Sequence, residues 1–384
     1  MSNTERPRYT SVLSLVLGVF LITALAGCGK KGNVVKLGFA SPLTADQAKM
    51  GIDSLHGVKL AVEEANARGD IIPGFKVEIV ALDDQHNPSQ AVNVAKRLAS
   101  DPDVLAVVGH FNSSCTMPAS AVYHEAPLVH ITHASTNPQI SRQGFDTFYR
   151  TASTDDVQGP QAADYVTRAL RTKRIFILDD KTTYGKGLAD EFERRAQANG
   201  LEILGHEGIT QGDKDFSPLL TKIKPINPDL LYFGGIYPEG ALMLRQARAL
   251  EIASIFMGGD GIVEPTFITL ATPTIAEGTY GTMVGGDLHK DPRAAEFVRK
   301  FEKKYGPLGI WSAYAYDAAN IMLDAIRRAG KKDRLAVLEA MRQTKDFQGV
   351  TGVTNFDSKG DNENAFIGIY QVRQGKWEFQ AKAE

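Results

Sequence analysis

From Val34 to about Gly261 the chain repeats one pattern: a short apolar run rich in β-branched residues, a polar loop, then apolar positions three and four apart. A strand joined to its neighbour through a helix lies parallel to it, so this order implies a sheet with helices on both faces. The first unit reads as the strand "NVVKLGFASPL", the helix "GVKLAVEEANARGD" with Val58, Ala61, Val62 and Ala65 on one face, the strand "KVEIVALDD", and the helix "SQAVNVAKRLAS" with Val92, Ala95 and Leu98 at helical spacing. "VLAVVG" and "PLVHITHAST" are further strands. After "FYRTASTDDVQGP" the rhythm restarts, with strands "RIFILDD", "LEILGHEGIT", "DLLYFGG" and "SIFMGGDG" and helices "GKGLADEFERRAQANG", "FSPLLTKIK" and "EGALMLRQARAL". Two successive α/β units imply two lobes. From Gly285 the chain turns helical through "RAAEFVRKFEKKYG", "WSAYAYDAANIMLDAIRRAG" and "RLAVLEAMRQT", and it closes on the strand-like "AFIGIYQVRQGKWEF".

The first thirty residues stand outside that pattern. Arg6 and Arg8 precede the uncharged stretch "SVLSLVLGVFLITA", and "LAGC" ends it on small residues before Cys28, the plan of a secretory signal peptide. The stretch is slightly short of the roughly 20 apolar residues of a membrane span. It resembles the lipobox of bacterial lipoproteins, which implies a signal peptide over 1–27, a lipid on Cys28, a tether over 28–33 and a place at the cell envelope; an uncleaved anchor is the alternative. Gly29 follows the cysteine, so no acidic retention signal is present. Cys115 is the other of two cysteines, which leaves no intrachain disulfide if Cys28 is lipidated. Its ordinary reading is a buried small hydrophobe, with a reactive thiol as the alternative.

With a formal net charge of -2 and no basic patch or arginine-rich tract, nothing favours a nucleic-acid partner, and none is expected. In a parallel sheet, ligands sit beyond the carboxyl ends of the strands, so the residues that follow each apolar run are the candidates. They are Asn112, Ser113 and Ser114; Ala134, Ser135 and Thr136; Asp179 to Tyr184; Ile236 and Tyr237; and Asp260. A cluster of serines and asparagine at a helix start offers hydroxyls, free N–H groups and the positive end of the helix dipole, which suits a carboxylate. The plain alternative, that Ser113 or Ser114 only caps its own helix, stays open. Asp260 suits a cation. An anion holder facing a cation holder matches a free amino acid, which carries both charges on one carbon.

Six segments, "GHFNSSCTMPAS", "ITHASTNP", "DDKTTYGKGLADEF", "GGIYPEGALMLRQAR", "FMGGDG" and "FDSKGD", occur in this order and resemble the marker segments of branched-chain amino-acid binding proteins, the type I periplasmic solute receptors of ABC importers. The resemblance spans about Val34 to Val372. It implies two Rossmann-like lobes with parallel central sheets and three hinge crossings, around Ser153 to Asp155, Val284 to Gly286 and Gly352 to Thr354. Residues 34–153 and 286–352 would form one lobe, 154–285 and 353–384 the other. Ser113 and Thr136 would bind a ligand carboxylate; the Ala134 carbonyl, the Thr136 hydroxyl and Asp260 would take the ammonium; Tyr184 would join on closure. Asn112, Phe111, Met50, Ile236 and Tyr237 complete the candidate site, with Met50 and Phe111 on the side-chain pocket. Some positions depart from the family pattern. Asp260 replaces a frequent glutamate, Ile236 and Met50 stand where aromatics are common, Gly309 lies near a position that can carry a bulky aromatic, and His86 and Asn112 stand where some members have a disulfide.

Enzyme readings find little support. "LGFASPLTADQAKMG" lacks G-x-G-x-x-G, which argues against a nicotinamide dinucleotide. "GHFNSS" lacks the G-x-S-x-G elbow, so His110 reads as a strand-end residue bonded to loops. His130 and His133 differ in strand parity and so face opposite ways, which spoils a shared metal site. The expected function is therefore a receptor for a neutral aliphatic L-amino acid that serves a membrane permease as a monomer, with no cofactor or metal. The competing reading is a sensor of amides, urea or amino acids on the same scaffold, acting through a partner protein.

Overall fold

The computed structural model describes residues 1, 2, 4 and 33–383; the apolar leader, Cys28 and the tether up to residue 32 lie outside them. Strands β1 (Val34–Ser41), β2 (Lys76–Asp83), β3 (Val104–Gly109), β4 (Val129–Thr132) and β5 (Phe148–Arg150) form an all-parallel sheet in the order β2-β1-β3-β4-β5. Helices α1 (Ala48–Arg68), α2 (Pro88–Ser100) and α3 (Ser113–Glu125) make its crossovers. Strand β1 sorts its side chains by parity: Val35, Leu37 and Phe39 join the apolar cluster that holds α1, while Ala40 joins the one that holds α2 and α3. All six residues of β3 are buried, as a strand covered on both faces must be.

The second sheet repeats this plan. After α4 (Asp155–Tyr165) come β6 (Arg174–Asp179), α5 (Thr183–Ala198), β7 (Glu202–Gly208), α6 (Ser217–Ile223), β8 (Leu230–Gly234), α7 (Tyr237–Ala249), β9 (Ile255–Gly258), α8 (Pro265–Ala271), α9 (Pro273–Ala276) and β10 (Tyr280–Val284). The chain then returns to the first sheet with α10 (Ala295–Tyr305), α11 (Ile310–Ala329) and α12 (Arg334–Arg342). After the small pair β11 (Phe347–Gln348) and β12 (Val353–Thr354) it rejoins the second sheet with β13 (Ile367–Arg373) and β14 (Lys376–Lys382). The second order is β14-β13-β10-β9-β8-β6-β7. The chain thus passes three times between two α/β bodies.

Several expectations need correction. Helix α1 starts at Ala48 rather than Gly57; the added turns bury Asp53 and Ser54 beside Met50 and Leu55, a mixture with no clean apolar period. The buried face of α2 is Ala91, Val94, Ala95 and Leu98, and Val92 lies at its margin. "FYRTASTDDVQGP" is not a plain break, since it carries β5 and the first turns of α4. The closing segment is a hairpin rather than one strand, turned at Gln374 and Gly375, both with positive φ, the geometry of a tight two-residue turn. Its strands run antiparallel, so the second sheet is parallel only from β10 to β7. Glycine at 57 has a packing reason: a Cβ there would come within 2.1 Å of the Ser312 carbonyl oxygen, so α1 and α11 touch backbone to backbone.

Arg150, at the end of β5, is fully buried. Its Nε donates to Asp361 Oδ1 at 2.5 Å, its Nη1 to the carbonyls of Ser135 and Asn137 at 3.1 Å, and its Nη2 to Ser141 Oγ at 3.1 Å. One guanidinium therefore ties the loop after β4 to the "FDSKGD" segment between β12 and β13. Removing one partner of a buried ion pair strands the other charge and costs about 3–5 kcal/mol. Arg150→Ala is expected to lose about that much stability in urea unfolding. Asp361→Asn is expected to lose less, because Asp361 keeps 19% of its side chain in water. Equal losses would mean that the carbonyl contacts of Arg150 contribute little.

Candidate functional site

In the strand order 2-1-3-4-5, successive crossovers leave the first strand in opposite directions, and a crevice opens there at the carboxyl ends. The first sheet has this order, with its crevice between β1 and β3; the second repeats it as β7-β6-β8-β9-β10, with its crevice between β6 and β8. Between the two crevices lies a small cavity. Met50 of α1, Phe111, Asn112 and Ser113 after β3, Ala134 after β4 and Trp311 of α11 line one side. Tyr184 of α5, Ile236, Asp260 and Gly261 line the other. Eight of the ten residues read from sequence therefore meet around one cavity. Thr136 and Tyr237 lie off its wall. Thr136 is fully buried, and the Tyr237 hydroxyl donates to the Asp46 carbonyl at 2.5 Å across the gap between the bodies. Asn137 Nδ2 likewise reaches the Thr183 carbonyl at 2.7 Å, and Gln211 Nε2 approaches His86 Nδ1 at 3.3 Å. The bodies are thus in contact around the cavity.

The loops on the first side are wired from beneath. Thr132 Oγ1 donates to the His110 carbonyl at 2.7 Å and accepts from the Ser135 N–H at 2.9 Å, and Ser135 Oγ donates to the Phe111 carbonyl at 2.9 Å. His110, read as a strand-end residue, sits with Nδ1 2.6 Å from Asp84 Oδ2 and Nε2 3.1 Å from the Tyr123 hydroxyl, below the cavity. Asn112 occupies the capping position of α3 but does not cap it; its Nδ2 donates to Gln47 Oε1 at 2.7 Å. Ser113 Oγ accepts from the Asn137 N–H at 3.3 Å and so braces the neighbouring loop. The Ser113 and Ser114 N–H groups belong to the first turn of α3, where no intrahelical acceptor exists, at the positive end of the helix dipole.

On the other side Asp260 is the one charged residue of the lining. The Tyr184 hydroxyl donates to its Oδ1 and accepts from the Gly261 N–H at 2.9 Å. The Asp260 N–H donates to Gln158 Oε1 at 3.0 Å, which Thr282 Oγ1 also reaches at 2.8 Å. Burial pushes the Asp260 carboxyl up to about 6, opposed by the hydrogen bonds from Tyr184 and Gln158. The remaining wall, Met50, Phe111, Ile236 and Trp311, is apolar, with the Phe111 and Trp311 rings edge to face at 5.6 Å. Such a chamber holds a small molecule with an anionic end, a cationic end and an apolar tail. The sequence reading missed Trp311, two residues past the flagged Gly309, and Gln158, whose polar role inside a helix has no local signal. A larger groove of about 700 Å³ along Ile268, Trp377 and Phe379 lies away from both crevices.

The periplasmic binding protein family model matches residues 34–376. The Leu/Ile/Val-binding protein homolog 1 of Brucella suis biovar 1 (strain 1330) is 35% identical over 362 residues, 94% of this chain and 96% of the relative. The leucine-binding protein LivK of Thermotoga maritima superposes with a TM-score of 0.85 at 31% identity over 91% of this chain and 99% of that one. The branched-chain amino acid transporter substrate-binding protein LivJ of Streptococcus pneumoniae, in complex with isoleucine, superposes at 0.83 with 28% identity over 91% and 100%.

Asp260 carries a stability cost that pH exposes. Folded, its carboxyl holds a proton up to about pH 6, whereas the unfolded chain releases it near the ordinary carboxylate value. The folded form binds more protons in between, so stability falls as pH rises through that window. Ligand-free Asp260→Asn is expected to exceed the parent by about 3 kcal/mol above about pH 7, with the gap closing near about pH 4. Urea midpoints at both pH values read this directly. Buried acids away from Asp260 are common to both proteins and cancel, whereas Asp155, which the Asp260 charge raises, shifts together with it; a parent as stable as the variant at both pH values would remove the account.

Proposed function

The chain belongs to the periplasmic binding protein family, and from that premise we propose that it is the substrate-binding lipoprotein of an ABC importer specific for a neutral aliphatic L-amino acid. The family is one of solute-binding proteins rather than enzymes. The observation that carries the reading is the opposition of Asp260 to the Ser113 loop across a chamber whose remaining wall is apolar. In this reading the ligand carboxylate takes the N–H groups and hydroxyl at Ser113, while its ammonium takes Asp260, the Ala134 carbonyl and the Thr136 hydroxyl. The aliphatic side chain packs against Met50, Phe111, Ile236 and Trp311. Tyr184 holds the Asp260 carboxylate in place, and Asn112 steadies the rim through Gln47. The Leu/Ile/Val-binding and isoleucine-bound relatives support a branched-chain ligand.

Binding contacts come from both bodies, so the zwitterion favours the closed arrangement by its extra affinity for that state. Tyr237 adds a closing bond to Asp46. The bodies hinge at the three passages near 153–155, 284–286 and 352–354, taking 34–153 with 286–352 as one lobe and 154–285 with 353–384 as the other. Cys28 carries the lipid that holds the receptor beside its permease in the periplasm.

Thermal unfolding of the mature protein, stripped of copurified ligand, tests this against single L-amino acids and short-chain amides. A ligand at about 100 times its dissociation constant adds roughly 2.7 kcal/mol of stability. Leucine, isoleucine or valine is expected to raise the transition. Asp260→Ala is expected to lose the shift, and Ser113→Ala to reduce it, since its N–H remains. A panel in which only amides respond would transfer the site to the sensor reading, because Asp260 would then face no ammonium.

A further inference from the structure

Asp155, the first residue of α4, is fully buried, with both carboxylate oxygens without a hydrogen-bond partner. Thr136 Oγ1, equally buried, also lacks one, although the hydroxyl lies close enough to ease the carboxylate's charge, and the two residues are joined by the Asp155 N–H to Thr136 carbonyl bond at 3.0 Å. One turn along the same face of α4, Gln158 holds the Asp260 N–H. Asp155 and Asp260 are thus both buried and linked through Gln158 and the Thr136 loop, and burial together with their two charges raises the Tyr184 and Tyr232 hydroxyls well above the ordinary phenol range. The nearby cation is committed elsewhere, because Arg150 directs its donors to Asp361, Ser135, Asn137 and Ser141. The charged and titratable groups around Asp155 are therefore Asp260 and Tyr184 from the second body, Tyr232 of β8, Arg150 of β5, and Asp156 beside it.

A carboxylate in this setting is costly: it has left water, gained no hydrogen bond and faces a second acid. Protonation removes the cost. We propose that Asp155 is a second acid of the cation end, holding a proton in the empty site and releasing it to solvent when a primary ammonium enters the region it shares with Thr136 and Asp260. The O–H bond of the carboxyl breaks, the proton leaves to buffer, and the ammonium's positive charge is then balanced by two carboxylates that together had held a proton. Thr136 turns its hydroxyl toward Asp155, leaving its lone pairs to the ligand, so Asp155 also positions Thr136. Burial and the Asp260 charge raise the Asp155 carboxyl well above the ordinary carboxylate range in the empty site. The empty site then holds more protons than the occupied one, so affinity strengthens as pH rises toward the empty-site value and weakens as pH falls below it.

This inference rests on the amino-acid reading, and the test separates the two. Binding of L-leucine, L-isoleucine and L-valine to the full mature receptor is measured by calorimetry near neutral pH in two buffers of different ionisation enthalpy. The parent is expected to release a substantial fraction of one proton, and Asp155→Asn to release distinctly less. An infrared difference spectrum of the parent is expected to lose a protonated carboxyl band when ligand is added, a readout that does not depend on the variant folding. Binding with no proton release, an unchanged release in Asp155→Asn, or no lost carboxyl band would overturn the inference and leave the amino-acid reading standing. No binding of any of the three ligands to the parent would overturn both.

Discussion

The Arg150 guanidinium is the fastening on which the binding loops depend. It is fully buried, so each of its bonds is needed, and those bonds reach three separate stretches of chain: the loop after β4, Ser141 and Asp361. Backbone carbonyls turned inward toward Arg150 from Ser135 and Asn137 frame the Thr136 peptide between them. The Thr132 hydroxyl anchors the same loop from its other end, through the Ser135 N–H. The floor of the cavity is therefore set by polar bonds inside the protein, before any ligand arrives. Such preorganisation lowers the ordering cost that binding must overcome.

The opposite wall is arranged differently. Asp260 is fixed by a phenol, a glutamine and the peptide that follows it, yet burial still works against its charge. The first side offers N–H groups and hydroxyls already in place, while the second offers a carboxylate short of a positive partner. A zwitterion satisfies both at once, whereas a simple carboxylic acid leaves Asp260 unpaired and a simple amine leaves the helix start unused. In the proposed function, selectivity for an α-amino acid backbone follows from that asymmetry, and the apolar wall of Met50, Phe111, Ile236 and Trp311 is left to act on the side chain alone.

Much of this was legible because parallel strands buried on both faces are written as near-continuous apolar runs. "VLAVVG" reads as a strand at the residues where β3 lies, and the loop after it supplies Phe111, Asn112 and Ser113 to the cavity. What escaped reading depends on distant partners. Arg150 follows two aromatic residues in "FYRTAS" and looks like a surface charge until Asp361, more than two hundred positions on, is brought beside it. Trp311 opens a long amphipathic helix and reads as core, and Asp155 sits in a stretch that resembles a connector. The start of α1 was lost because Asp53 and Ser54 are buried beneath a neighbouring helix, which breaks the apolar period. The His86 and Asn112 pair, placed where relatives can carry a disulfide, is joined instead through Gln47, which contacts both.

The three passages between the bodies also bear on the order in which the chain can be assembled. Val35, Leu37 and Phe39 point toward Ala315, Ala318 and Met322 of α11, nearly three hundred residues later, and share one apolar cluster with them. A nascent or partly translocated chain that ends before α11 has an intact set of β1 to β5 strands but a bare greasy face where α11 and α12 belong. Closing that face requires a loop as long as the second body, so it is a late event, and the exposed sheet is the sticky species of the pathway. The insertion of the second body into the sequence of the first thus ties the maturation of the N-terminal half to the arrival of the C-terminal third.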